Sequence, residues 1–236
     1  MKIFYKKIIR ASACISAVIL VACVSPGESL QGSSGYHNSY EGFVQNNAQG
    51  VEMVRGKAGT VIAQELAKYD KLLINPITVW KEGSEDRFRD ISDTDLKVIT
   101  DLFHQELVSA VKDGYQVVDH AGVGVLQIDV GLTGVVASDP TLDSALIVVP
   151  FMPFITKTEE LITGNQSYVG ATSIEGTFKD SQTGDEIVAF MDTKIGKRVF
   201  EVSADDNLND PYRYSKKAFQ WWASRLRYVL DRSRPN

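Results

Sequence analysis

Two hydrophobic periods alternate along the chain and set its elements. Between Asp93 and Asp113 the apolar positions Leu96, Ile99, Phe103, Leu107 and Val111 fall three or four apart, as one stripe of an α-helix does. Ser92, with Asp95 three residues on, is a capping signal for its start, and Gly114 is a stop. The period then falls to two. Leu126, Ile128, Val130 and Leu132 alternate with Gln127, Asp129, Gly131 and Thr133, which predicts a strand over Val125 to Val136 with one covered face. Shorter apolar pieces at Val51 to Arg55, Lys71 to Trp80 and Tyr115 to Asp119 read as further extended segments, the second placed at an edge or bulge by Pro76. Strands at Tyr168 to Lys179 and Glu186 to Ile195 flank Asp180-Ser181-Gln182-Thr183-Gly184-Asp185, a turn sequence, and so form a hairpin. A last helix covers about Tyr212 to Arg232. The expected fold is an α+β two-layer domain, with a mostly antiparallel sheet of about five strands and two main helices packed on one face.

The last helix is apolar over more of its circumference than one packed face requires. Phe219, Trp222, Ala223, Leu226, Val229 and Leu230 form the stripe that covers a sheet. Tyr214, Trp221 and Tyr228 line up beside it, with Arg225 between, and Trp, Tyr and Arg are the residues enriched as anchors in protein interfaces. These four are candidate partner-binding residues, unless the segment from Asp139 to Gly164 folds over this flank. That segment carries eleven apolar residues with two prolines, from Ala145 to Ile155, too short for a membrane span and too broken for a central strand. Phe151 and Phe154 in it are candidates for contact with another subunit or with lipid, against the alternative of a loop that covers the core.

The first residues follow a different logic. Lys2, Lys6, Lys7 and Arg10 give a basic start with no acid, and an apolar run of 12 residues from Ala11 to Ala22 follows. A bilayer-spanning helix needs about 20 residues, so this is the core of an export signal. It ends on Leu20-Val21-Ala22-Cys23, the form of a lipobox. Cleavage between Ala22 and Cys23 and lipid attachment to Cys23 are therefore expected, and two or three acyl chains would give a stable membrane anchor. Val24 and Ser25 follow the cysteine with no retaining Asp, so the expected place in a Gram-negative cell is the outer membrane, the domain facing the periplasm.

Removing residues 1–22 takes away four of the 25 basic residues and none of the 30 acidic ones, leaving a net charge of minus nine. Such a balance argues against general binding to nucleic acid or to anionic lipid, which needs a basic face. Cys14 leaves with the signal and Cys23 is consumed by lipid, so no thiol chemistry or disulfide is expected. Residues 24–50 contain 16 Ser, Gly, Asn or Gln among 27, which predicts a flexible tether over 23–50 ahead of a single domain over 51–236. Tyr36, Tyr40 and Phe43 interrupt that composition and are expected to dock on the domain.

Catalytic signals are weak. His37 lies in the tether, His104 on the polar side of the first helix and His120 in a loop, and no metal-ligand spacing joins them. Gly122, Gly124, Gly131 and Gly134 suit bulges or close packing better than a phosphate loop. Asp129, Glu175 and Asp192 lie on strands, where solvated or Thr-paired side chains are the plainer reading than an acid-base pair. No catalytic residue, cofactor or metal is assigned.

Ile174-Glu175-Gly176-Thr177-Phe178-Lys179-Asp180-Ser181-Gln182-Thr183-Gly184-Asp185-Glu186 resembles the central motif of the domain-of-unknown-function family 3313, a family of bacterial lipoproteins. Lys68 to Ile77 resembles its first-strand motif, with Asn75 where an acid is expected. The resemblance spans most of residues 50 to 232 and implies localisation and fold, with no activity. Together these readings point to a membrane-anchored envelope lipoprotein that binds or scaffolds, through an envelope protein partner or self-association. The alternative is a glycan- or peptidoglycan-processing enzyme using strand carboxylates.

Overall fold

Ser92 starts the first long helix as its sequence requires. Its hydroxyl accepts the Asp95 amide at 3.1 Å, and all five stripe residues from Leu96 to Val111 are buried. The computed structural model describes residues 34–46, 51–82, 85–88, 91–137, 171–195 and 210–234. In chain order these form β1 (Val44–Gln45), β2 (Met53–Gly56), α1 (Ile62–Leu66), β3 (Lys71–Ile74), β4 (Thr78–Val79), a 3-10 turn (Glu85–Phe88), α2 (Asp93–Val111), β5 (Gln116–Val117), β6 (Val125–Val136), β7 (Ala171–Asp180), β8 (Glu186–Ile195) and α3 (Arg213–Ser233).

The fold is α+β, but the described sheet has eight strands rather than about five. Its order is β1-β2-β8-β7-β6-β3-β5, with β4 also on β6. The long ladders β6–β7 and β7–β8 are antiparallel, whereas β3 runs parallel to both β5 and β6, and β4 parallel to β6. Six of the sheet's segments coincide with extended pieces read from the sequence; the additions are β1, two residues with no alternation to mark it, and the division of Lys71 to Trp80 into β3 and β4. Pro76 falls in the break between β3 and β4, where no ladder needs the amide it lacks. The hairpin turn forms as read: the Asp180 carboxylate accepts the Gln182 and Thr183 amides at 2.9 Å each, and Gly184 takes φ +74.

Helices α2 and α3, with short α1, cover one face. Phe103 of α2 stacks on Phe219 of α3 at 4.4 Å between ring centres, and Trp222 packs beside them over Ile128, Ile174 and Phe178. The opposite face differs from the exposed polar face predicted for β6. Gly131 is buried there, because residues 34–45 cross over it, and Thr133 is buried at a bulge where the β6–β7 register shifts. Tyr36 lies on the bare Cα of Gly131, where any side chain would collide with its ring. The packed part of the chain therefore begins by residue 34, ahead of the boundary expected at Val51, and Tyr36, Tyr40 and Phe43 dock on the domain.

Candidate functional site

Between the sheet and α3 the packing leaves a cavity of about 470 Å³. Ligand pockets commonly fall in the range of about 300–1,000 Å³ with apolar walls and few polar groups. Here the floor is Phe103, Leu107 and Ile128, all almost fully buried, and one side is Val54, Ile62 and Leu66. The other side is set by helical spacing: Arg225, Tyr228, Val229 and Arg232 fall three or four apart on α3 and line the same cavity. The Arg225 guanidinium lies 4.5 Å from the Tyr228 ring centre, and Arg232 donates to the Tyr228 hydroxyl at 3.2 Å. Among the described residues no carboxylate lines this cavity.

The four aromatic and basic residues singled out on α3 separate. Tyr214 is 4 % exposed, with Arg213 over its ring, so it presents no free surface beside the others. Its turn of the helix faces the sheet, where Ser215 bonds Thr172 at 2.8 Å. Trp221, Arg225 and Tyr228 do come together, around a surface hollow with Lys217 and Ser224. The Lys194 ammonium sits 4.1 Å above Trp221 and 2.6 Å from Asp192, so one face of that indole is occupied. Sequence reading missed Arg232, whose signal was its seven-residue spacing from Arg225 on the Tyr228 side. It also missed the walls contributed by α1 and β2.

On the far face lies a buried polar cluster. Glu175 is 1 % exposed; its Oε2 accepts the Tyr40 hydroxyl at 2.8 Å, while Oε1 has no partner among the described residues. Burial pushes this carboxyl up, and contacts from Ser34, Tyr40 and Arg87 oppose it without overcoming it. His37 Nε2 is 3.6 Å from the same carboxyl and 3.3 Å from the Phe190 carbonyl, to which it donates. Burial lowers the imidazole to about 4. Both shifts favour a neutral pair. His37, expected in a flexible tether, is thus buried, because the segment that carries it is packed.

The remaining chemistry is dispersed. Asp192 lies on the helix side of β8 under Trp222, whose indole N–H bonds it, and beside Lys194, so it is neither solvated nor Thr-paired. Burial pushes Asp192 up despite Lys194, and pushes neighbouring Glu52 up to about 7, with the Asp192 charge adding to it. Glu175 points to the other face, so the two do not form a pair. Asp129 is held by Gln127, Asn75 and Lys179; burial pulls its carboxyl up, and these three bonds together outweigh it. Asn75 therefore donates at a position where a second acid would repel Asp129. His104 donates to the Ile74 carbonyl at 3.0 Å, and His120 is an exposed partner of Asp119. Among the described residues no three metal-ligating side chains gather, and no helix is long and apolar enough to cross a membrane.

Cys23, Ala22 and the export signal, most of the expected tether, and Phe151 and Phe154 with the rest of Asp139 to Gly164 lie outside the described residues.

Residues 33–226 match the family model described as a protein of unknown function, DUF3313. No curated protein matches the chain. Among solved structures, the PelC dodecamer from Paraburkholderia phytofirmans aligns at TM-score 0.36 and 10% identity, covering 73% of this chain and 96% of that one. A protein assigned as a neuraminyllactose-binding hemagglutinin homolog from Helicobacter pylori aligns at 0.32 and 15%, covering 70% and 82%. One assigned as a lipoprotein from Caulobacter crescentus aligns at 0.29 and 9%, covering 73% and 92%. At such TM-scores none of them carries an argument about function.

Proposed function

The chain belongs to the DUF3313 family, and from that premise we propose that it is a membrane-anchored envelope lipoprotein whose folded domain binds a ligand and does no chemistry on it. The anchor is the acyl-modified Cys23, for which the basic start, the short apolar core and Leu20-Val21-Ala22-Cys23 speak. Outer-membrane residence follows from Val24 and Ser25 in a Gram-negative cell.

One observation carries the binding reading: a 470 Å³ apolar cavity whose polar groups, among the described residues, are confined to α3 and Asn46, with no carboxylate. The glycan-processing alternative needs two carboxylates around one substrate. Glu175 and Asp192 instead sit on opposite faces of the sheet, each held by its own partners.

Native mass spectrometry of the protein released from its own envelope tests the reading. A co-purifying small molecule is expected for the natural protein and not for Val229→Trp, which places an indole in the cavity. Equal occupancy of both forms, or none in either, would refute it. The anchor has its own test: Cys23→Ser should abolish labelling by a fatty-acid probe and leave an uncleaved precursor, and normal processing of that variant would end the claim.

A further inference from the structure

The walls of the cavity are not held equally. Its floor belongs to the long antiparallel ladders of β6, β7 and β8. The C-terminal half of α3 is tied down: Arg227 donates to the Ala110 carbonyl at 3.4 Å, Arg234 to the Gly114 carbonyl at 2.8 Å, and the Tyr115 hydroxyl to Asp231 at 3.3 Å. On the α1 side the ties stop at Lys57, whose amide donates to the Ile187 carbonyl at 2.9 Å, and resume at Asp70 and Lys71, whose amides both reach the Gly124 carbonyl. Between them, residues 58–68 bond only to one another and to their flanks Lys57 and Tyr69, among the described residues. We infer that α1 is the moving wall of the site: residues 58–68 lift and settle as one flap, and a ligand in the cavity holds the flap down. This deepens the proposed binding role and rests on it.

Helix α1 does not persist on its own strength. It has five residues, where an isolated helix needs about 12–15 to be even marginal in water, and Val61 at its start gives no side-chain cap. Two side chains hold it in place. Leu66 is 2 % exposed in the core, and Ile62 lies across Gly56, where a Cβ would meet it at 2.8 Å. Both line the cavity, as does Ala63 between them. Each therefore packs on protein on one side and on the hollow on the other, and lacks there the dispersion contacts that an apolar ligand would supply. The Lys68–Glu65 ion pair lies inside the flap and moves with it.

The flap has a hinge that can be perturbed cleanly. Gly59 takes φ +74, and a Cβ built on it has nothing within 4 Å. Alanine there adds no clash, only the strain of an L residue in the left-handed region, which the flap sheds when it lifts. Gly184, in the turn between β7 and β8, has the same φ of +74 and equally open space, so it carries the same strain at a place outside the flap.

Hydrogen exchange of the full lipidated protein in nanodiscs tests this, with 1-decanol as the probe and native mass spectrometry to read its occupancy. Without decanol, the amides of Gln64 to Lys68 should exchange far ahead of those in the middle of α2, through local opening. A probe that binds only with the flap down suppresses that opening by about the ratio of its free concentration to Kd. At a hundred times Kd, exchange in α1 should therefore slow about a hundred-fold. Gly59→Ala should speed the probe-free exchange of α1 about ten-fold, the usual effect of left-handed strain, and Gly184→Ala should leave it unchanged. Exchange in α1 as slow as in α2, or no gain in Gly59→Ala beyond that in Gly184→Ala, overturns the flap. Decanol that occupies the natural protein and not Val229→Trp, yet fails to slow α1, also overturns it and leaves the binding site standing. Decanol that occupies neither form, or both alike, removes the binding reading and this inference with it.

Discussion

Acidification should loosen this protein through His37. Burial holds the imidazole near 4 in the folded chain, with the Arg55 charge adding to the depression and the Phe190 carbonyl opposing it, against 6.5 when exposed. A group whose folded value is depressed contributes stability that is complete above its unfolded value. That contribution is lost as pH falls through the folded one, here across the window from 6.5 to about 4. Each unit is worth about 1.4 kcal/mol, so between pH 7 and pH 4 His37 should cost about 3 kcal/mol. Glu175 works the other way: its raised carboxyl favours the folded state at low pH and loses that contribution as pH rises through its folded value. The comparison that isolates the imidazole is His37→Gln, whose amide can still donate to the Phe190 carbonyl but does not titrate. Urea unfolding of both proteins at pH 7 and pH 4, with hydrogen exchange of residues 34–45, reads the effect. The gap between them should widen by about 3 kcal/mol in favour of the variant on acidification. If residues 34–45 undock at a smaller cost, faster exchange of that segment in the natural protein alone should appear instead. A pH-independent gap with unchanged exchange refutes the buried neutral histidine.

Phe219→Ala removes the fully buried ring stacked on Phe103 and should cost about 3–5 kcal/mol, read as a lower urea midpoint at unchanged slope; a loss below 1 kcal/mol would mean the helices do not share that core. Gly131→Val should drive Tyr36 off the sheet, accelerating hydrogen exchange in residues 34–45 while the β7–β8 hairpin stays protected, and uniform protection would contradict the docking. Trp221→Ala with Tyr228→Ala removes two partly exposed rings, Trp221 packed on the edge of the core beneath Lys194 and Tyr228 beside Arg225, so the stability loss should stay within about 2 kcal/mol; a much larger loss would place both rings in the core proper.

Elements that stabilise themselves locally were legible in the chain. The Ser92 cap, the stripe of α2, the Asp180 turn and the alternation at the start of β6 each need only neighbours within a few residues, and all formed where the pattern put them. The motif around Ile174 to Glu186 likewise sufficed to recognise the family. Strand number was not legible, because β1 is a two-residue piece that exists only by pairing with β2, and β3 and β4 separate within one apolar segment according to where each pairs with β6. Nor was the far face of the sheet. Ser34 to Phe43 has the composition of a tether, and only the tertiary structure supplies the glycine platform at 131 and the buried Glu175 that order it. The candidate site was half visible: helical spacing brought Arg225 and Tyr228 into one strip and joined to them Tyr214, which is buried. What makes a site there is the space beside that strip, and a cavity is the part of a fold that local pattern does not record. It exists only where α1, α3 and the sheet approach without filling the gap, which is a property of their mutual distances and not of any one segment.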